Sequence, residues 1–356
     1  MSGSAKIRVL IVDDSAIVRK ILTEALSSEA DIEVVGTAPD PYVARDKIVA
    51  LKPDVITLDI EMPRMDGVTF LKRLMHHHPL PVIIISSLGQ ASGRAALEAL
   101  DAGAVEVLAK PNGPCSVGEL RQNLAAKIRT AAVARIRSAS PPKATVAPQS
   151  AAIAIVPPLV SARPFRKSAV IAIGASTGGT EALQKVMRQM PRDCPGIVIA
   201  QHIPAGFSRT FANRLNEICE IHVREAKDGD MLEQGLALVA PGNFHMLVKR
   251  VPSGYRIEVC DGPYINYQRP AVDILFQSVA KAAGENAVGA ILTGMGSDGA
   301  QGMLAMKQAG ARTIAQNEAT CVVFGMPKEA IRVGAVDQIL PLSSIASAIV
   351  AQARMS

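Results

Sequence analysis

From residue 6 to about 130, short continuous apolar runs alternate with longer stretches whose apolar positions recur every three or four residues. Ile7–Val12, Val34-Val35-Gly36, Val55–Leu58, Val82–Ile85 and Val105–Leu108 have the length of buried strands. Between them, Ser15 can cap a helix with Ile17, Val18, Ile21, Leu22 and Leu26 on one face, and Val68–Met75 and Ala91–Ala102 read as helices. The alternation resumes at Ser168, with strands Val170–Ile173, Ile197–Ala200, Ala237–Ala240 and Val288–Leu292. Helices are expected at Thr180–Met190, Ser208–Ile218, Val272–Ala283 and Gly302–Ala309, and a hairpin at Met246–Arg250 with Tyr255–Val259. Strands alternating with helices imply parallel sheets with right-handed crossovers. The expected fold class is α/β, two doubly wound domains joined by a linker.

The pattern lapses between about 131 and 167. This stretch has six prolines, many alanines, six basic residues and no acid, and reads as an extended linker. Its N-terminal part, near Ala131–Arg137, can continue the preceding helix. The expected domains are therefore 6–130 and 168–356, with the linker at 131–167. The linker also accounts for the charge: its six positive residues equal the whole net excess of +6. The folded parts are near neutral, so a nucleic-acid partner is not expected.

No apolar run reaches membrane length, so membrane insertion is not expected. Met1–Lys6 lacks the apolar core and cleavage site of a signal peptide, and a cytoplasmic location is expected. Cys115, Cys194, Cys219, Cys260 and Cys321 are scattered without a C-x-x-C pair, as in reduced structural thiols.

Chemistry gathers where parallel sheets place it, beyond the carboxyl ends of strands. In the first half, Asp13, Asp14 and Asp59 follow apolar runs and together offer the oxygen ligands Mg²⁺ prefers. One of these carboxylates could accept a phosphoryl group, Lys110 would supply a fixed positive charge, and Ser86 a hydroxyl. The segments Val12-Asp13-Asp14-Ser15, Leu58-Asp59-Ile60-Glu61-Met62-Pro63, Met65-Asp66-Gly67, Ser86-Ser87 and Lys110-Pro111 resemble the response-regulator receiver domain over about residues 6–128. The resemblance implies a flavodoxin-like domain phosphorylated on Asp59 by a histidine kinase. It further implies Mg²⁺ on Asp13, Asp14 and Asp59, sensing by Ser86 and Lys110, and a cis Lys110-Pro111 bond. Val107 departs from the pattern, because many receivers carry Tyr or Phe there.

In the second half, Gly174-Ala175-Ser176-Thr177-Gly178 matches G-x-S-x-G at a strand-to-helix turn, where a serine can project toward substrate. His202 and Asp298 also follow apolar strands, and three such residues at strand ends suggest a nucleophile, its base and an orienting acid. Their chain order differs from the α/β-hydrolase, chymotrypsin and subtilisin orders. Ile173–Gly179, Gln201-His202-Ile203-Pro204, Ala240-Pro241-Gly242, Arg269-Pro270-Ala271-Val272-Asp273, Leu292–Gly299 and Asn317–Pro327 closely resemble the chemotaxis protein-glutamate methylesterases over about residues 168–353. That resemblance implies a Rossmann-like domain hydrolysing glutamyl γ-methyl esters on chemoreceptors without a cofactor, and deamidating receptor glutamines. Ser176, His202 and Asp298 would be catalytic, with the oxyanion held by the Thr177 and Met295 backbone.

Two other readings stay open: a receiver-controlled esterase with a non-receptor substrate, and a non-enzymatic phospho-dependent adaptor. His76-His77-His78, before Pro79, reads as a solvated helix end, since consecutive helical side chains point about 100° apart. His222 and His245 have no spacing that recruits them.

Overall fold

The computed structural model describes residues 5–87, 90–110, 116–136 and 164–354. The first domain runs β1 (Ile7–Val12), α1 (Ala16–Leu26), β2 (Ile32–Ala38), α2 (Pro41–Leu51), β3 (Val55–Asp59), α3 (Gly67–His77), β4 (Val82–Ser86), α4 (Gln90–Asp101), β5 (Glu106–Ala109) and α5 (Ser116–Ala132). Its sheet has the order β2-β1-β3-β4-β5, with every pairing parallel. All five positions of β3 and of β4 are buried, as expected where helices cover both faces. The order reverses between β1 and β3, so Asp13 and Asp59 leave the sheet at its switch point.

The second domain runs β6 (Val170–Ala175), α6 (Gly179–Met187), β7 (Gly196–Gln201), α7 (Phe207–Ile218), β8 (His222–Glu225), β9 (Met231–Leu232), β10 (Leu236–Val239), β11 (His245–Val251) and β12 (Gly254–Cys260). It continues with α8 (Val272–Ala283), β13 (Ala287–Ile291), α9 (Ala300–Gln308), β14 (Arg312–Gln316), α10 (Met326–Arg332), β15 (Gln338–Leu340) and α11 (Leu342–Ala353). Seven strands form a parallel sheet ordered β15-β14-β13-β6-β7-β10-β8, and β11-β12-β9 form a small antiparallel sheet. β13, β6 and β7 are neighbours, in registers that pair Ile291 with Gly174 and Ala175 with Gln201. The chain segments following these three strands therefore emerge side by side.

Most expected elements form, with instructive differences. Ser15 caps α1 through Val18 N–H, but Ile17 is 72 % exposed because the helix packs through Leu22, Ala25 and Leu26. Strands β8, β9, β14 and β15 fall in stretches the apolar pattern leaves blank. Helix α5 ends at Ala132, and Arg135 N–H then donates to Val322 O across to the second domain. At the far end of the basic stretch, Phe165 bridges to Arg354 and Arg166 N–H donates to Ala353 O, so the chain joins the second domain before Ser168. Pro111 lies outside the described residues, and so does the expected cis bond before it; the described cis bond is Arg269–Pro270. No helix among the described residues is long and apolar enough to cross a membrane.

Candidate active site

The first-domain pocket is built by backbone geometry. Asp13 follows β1, Asp59 ends β3, Ser86 ends β4 and Lys110 follows β5. Gly67 lets the start of α3 lie against β3, since a Cβ there would sit 2.1 Å from Asp59 O. Carboxylate oxygens of Asp13, Asp14 and Asp59 lie within 4.8 Å of one another. Lys110 Nζ is 2.7 Å from Asp59 Oδ2 and 3.2 Å from Asp13 Oδ2. Burial, with repulsion from Asp13, pushes the Asp59 carboxyl up to about 6 despite Lys110. Burial also raises Asp13. At Lys110 burial opposes the charge, but Asp59 and Asp13 outweigh it and raise the ammonium. The contact thus favours the charged lysine while Asp59, carrying burial and a like charge, remains hard to ionise. Asp13 Oδ2 is buried without a hydrogen bond of good geometry. An all-oxygen cluster of three carboxylates held this close fits a hard divalent cation.

In the second domain, Ser176, His202 and Asp298 leave the neighbouring strands β6, β7 and β13, and all three are buried. Ser176 N–H donates to Thr293 O at 3.0 Å, tying its turn to the one after β13. Gly178, at φ +75°, allows the reversal into α6. Gly294 is required by crowding: a Cβ there would lie 2.3 Å from Met326 Sδ and 2.7 Å from Ser176 Cβ.

His202 Nε2 is 2.8 Å from Asp298 Oδ2. Asp298 also accepts Val272 N–H at 2.7 Å and Asp273 N–H at 3.0 Å. Burial alone would raise Asp298, but His202 and these backbone donors hold it below its ordinary value. Ionised Asp298 accepts only, so His202 carries its hydrogen on Nε2 and Nδ1 is the basic nitrogen. Nδ1 is buried without a partner, and Ser176 Oγ makes no hydrogen bond to it. Among the described residues, the backbone N–H groups of Thr177 and Met295 also have no acceptor. The site therefore presents a hydroxyl, an unpaired basic nitrogen and two free backbone donors.

The first domain contacts the turns that carry this constellation. Thr177 Oγ1 donates to Glu106 Oε2 at 2.7 Å, and the same carboxylate oxygen lies 2.6 Å from Lys127 Nζ. Thr130 Oγ1 meets Met295 Sδ. Arg135 pairs with Glu318, and Gln184 Nε2 donates to Asp101 at 2.8 Å. Buried apolar residues of the two domains form one continuous cluster. A polar cleft of about 770 Å³ opens beside this contact, between α4 and α7, lined by residues including Arg94, Asp101 and Arg214.

Every sequence-derived candidate thus falls into one of two clusters. Three further residues matter to the second. Gln201 Nε2 donates to both Ser176 O and His202 O, Thr293 Oγ1 ties Thr177 O to Val322 and Val323, and Asp273 supports the start of α9 through Gly302 N–H. Gln201, Thr293 and Asp273 all sit in the motifs read from sequence, but nothing in their residue type announces a supporting role. His76 and His77 form the exposed C-terminal turn of α3, as expected. The four described cysteines are free thiols.

The CheB methylesterase family model matches residues 171–349, and the response regulator receiver domain model matches residues 9–124. A protein-glutamate methylesterase/protein-glutamine glutaminase of Syntrophus aciditrophicus is 58% identical over 97% of this chain and 99% of its own length. One from Anaeromyxobacter dehalogenans is 53% identical over 96% of this chain and 93% of its own. The crystal structure of the Thermotoga maritima CheB methylesterase catalytic domain aligns with a TM-score of 0.51 and 36% identity, covering 52% of this chain and 99% of that one. With both domain models matched in order and relatives aligned along nearly its whole length, this chain belongs to the CheB methylesterase family and carries a response regulator receiver domain in front of its catalytic domain.

Proposed function

We propose that this chain hydrolyses glutamyl γ-methyl esters on chemoreceptors, and deamidates receptor glutamines, under control of phosphorylation at Asp59. The observation that carries the chemistry is the unpaired, buried Nδ1 of a histidine whose Nε2–H is held by an ionised aspartate. The reaction requires Ser176 Oγ to reach that nitrogen. As Oγ attacks the ester carbonyl, Nδ1 takes its proton, and Asp298 stabilises the imidazolium. The Thr177 and Met295 backbone donors receive the oxyanion. Nδ1 returns the proton to the departing oxygen, releasing methanol, or to departing nitrogen, releasing ammonia. Water, deprotonated at Nδ1, then cleaves the acyl-enzyme and leaves glutamate. The nitrogens have exchanged the roles they have in the chymotrypsin arrangement, where the aspartate holds Nδ1.

Control rests on the Glu106–Thr177 contact. It joins the receiver to the residue that follows the nucleophile, and in this reading it holds the unphosphorylated molecule closed to a protein substrate. Glu106 begins the four-residue β5 and Lys110 follows it, so one strand links the phosphoryl sensor to the contact over the nucleophile turn. Ser86 and Lys110 would read the phosphoryl group, and Asp13, Asp14 and Asp59 would hold Mg²⁺, which neutralises charge as phosphoryl transfer proceeds. A chemotaxis histidine kinase is the phosphodonor in this reading, and the protein acts in the cytoplasm.

The test is methanol release from membranes carrying methylated chemoreceptors, with and without a small phosphodonor and Mg²⁺. Release should rise with the phosphodonor and vanish in Ser176→Ala. Absence of release from folded, phosphorylated protein would refute the reading in favour of another ester substrate or the adaptor.

A further inference from the structure

His245 lies outside the constellation described above, yet it is 4 % exposed and both of its ring nitrogens are engaged. It begins β11, opposite Cys260 of β12. Nε2 lies 2.9 Å from Pro263 O, and Nδ1 lies 3.2 Å from Ala271 N. A carbonyl only accepts and a backbone N–H only donates, so both contacts are satisfied by one form, the neutral ring with hydrogen on Nε2. Gly262 packs against the ring, where a Cβ would sit 3.2 Å from His245 Cδ2. The imidazole thus staples the two ends of the 263–271 segment.

The staple acts on the start of α8. Ala271, Val272 and Asp273 present three successive N–H groups there. The first is held by His245, and the next two by Asp298. Asp298 Oδ2 simultaneously receives His202 Nε2. The plane of that carboxylate is set by the donors, and the donors by where α8 begins. We infer that His245 is a positioning residue for the reaction: by fixing Ala271 N–H it sets the start of α8, and through it the Asp298 carboxylate that orients His202. This rests on the proposed roles of Asp298 and His202.

The two contacts can be separated in the full-length, phosphodonor-activated protein. Asn at 245 keeps an acceptor near the Nδ1 position, whereas Gln keeps a donor near Nε2 and loses the acceptor. His245→Asn should retain kcat within about threefold. His245→Gln should lose about tenfold or more in kcat with KM unchanged, and should shift the proton resonance of the His202–Asp298 hydrogen bond, the sort of loss expected when a reacting group is misplaced. Rates are normalised to sites titrated by a serine-directed phosphonate. Equal kcat losses in the two variants, or none in His245→Gln, would overturn the inference. If either variant fails to fold, nitrogen-15 NMR of the wild type decides: hydrogen on Nε2 of His245 is required, and hydrogen on Nδ1 refutes it. Asp298→Asn, measured in parallel, separates the two ideas. A fully active Asp298→Asn would sink the proposed site itself, whereas an inactive one beside an unimpaired His245→Gln would sink only the role of His245.

Discussion

Asp59 shows what a single residue pays for being placed to react. Its carboxyl is buried beside Asp13 and titrates at about 6, above its value of 3.8 in a solvated chain. The folded state therefore binds the Asp59 proton more tightly than the unfolded state does. The stability this contributes is fully present below pH 3.8 and is lost as pH rises through about 6. Each tenfold gain in proton affinity corresponds to about 1.4 kcal/mol, so the penalty at neutral pH is on the order of 3 kcal/mol. Without Mg²⁺, Asp59→Asn should raise the thermal midpoint of the receiver by about ten degrees at about pH 7.5 and leave it nearly unchanged at about pH 4. An equal gain at both pH values, read by calorimetry, would show that burial of the charge is not its cause. The same residue was legible in sequence as one of three acids at strand ends, because a carboxylate after an apolar run is visible in one dimension. Gln201 and Thr293 were not legible as supports. Their roles depend on which main-chain atoms the fold brings to them, and residue type does not encode that.

Elements explain how three residues spread along the chain from Ser176 to Asp298 come to follow neighbouring strands. Strands β13, β6 and β7 are adjacent, and each candidate follows one of them. The apolar runs announced those strands because each is buried along its whole length. The polar four-residue β8, the two-residue β9 and the three-residue β15 carry too little apolar pattern to be read, and β14 begins at exposed Arg312. Their pairing is imposed by the strands already in place. The turns matter as much as the strands. Gly294 holds the turn after β13 against Ser176, and a methyl group there would overlap Met326 Sδ and Ser176 Cβ. Gly294→Ala should therefore displace the nucleophile and lower kcat by about a hundredfold, the scale of a roughly 1 Å misplacement. Phosphorylation at Asp59 should be untouched, since the receiver lies on separate elements. Comparing methanol release with phosphate incorporation checks both halves of the expectation, and full turnover would show that the turn relaxes without cost.

At the scale of the molecule, sequence identified two domains and a basic stretch between them but not the face on which the domains meet. That face is a relation between surfaces, and Glu106 reads in sequence only as a polar residue entering an apolar strand. In the structure it accepts the Thr177 hydroxyl while pairing with Lys127, so one buried carboxylate binds the receiver to the nucleophile turn. Val107, beside it, is buried and offers no aromatic ring to swing. Displacement of β5 as a unit is then the simplest route from Lys110 to Glu106. A charge-assisted hydrogen bond contributes about 1.5–3 kcal/mol, so its loss moves the closed-to-open ratio by roughly 10- to 100-fold. Glu106→Ala should raise unphosphorylated methanol release by about that factor, up to the rate of the fully open enzyme. The added stimulation from phosphodonor should shrink correspondingly, because less closed protein remains to be opened. Serine labelling by a phosphonate should accelerate in parallel, since it reports access without the receptor. If a folded Glu106→Ala protein kept its low basal rate and its full stimulation, the restraint would have to lie instead where α4 meets α6 and α7, around Asp101, Gln184 and Arg214.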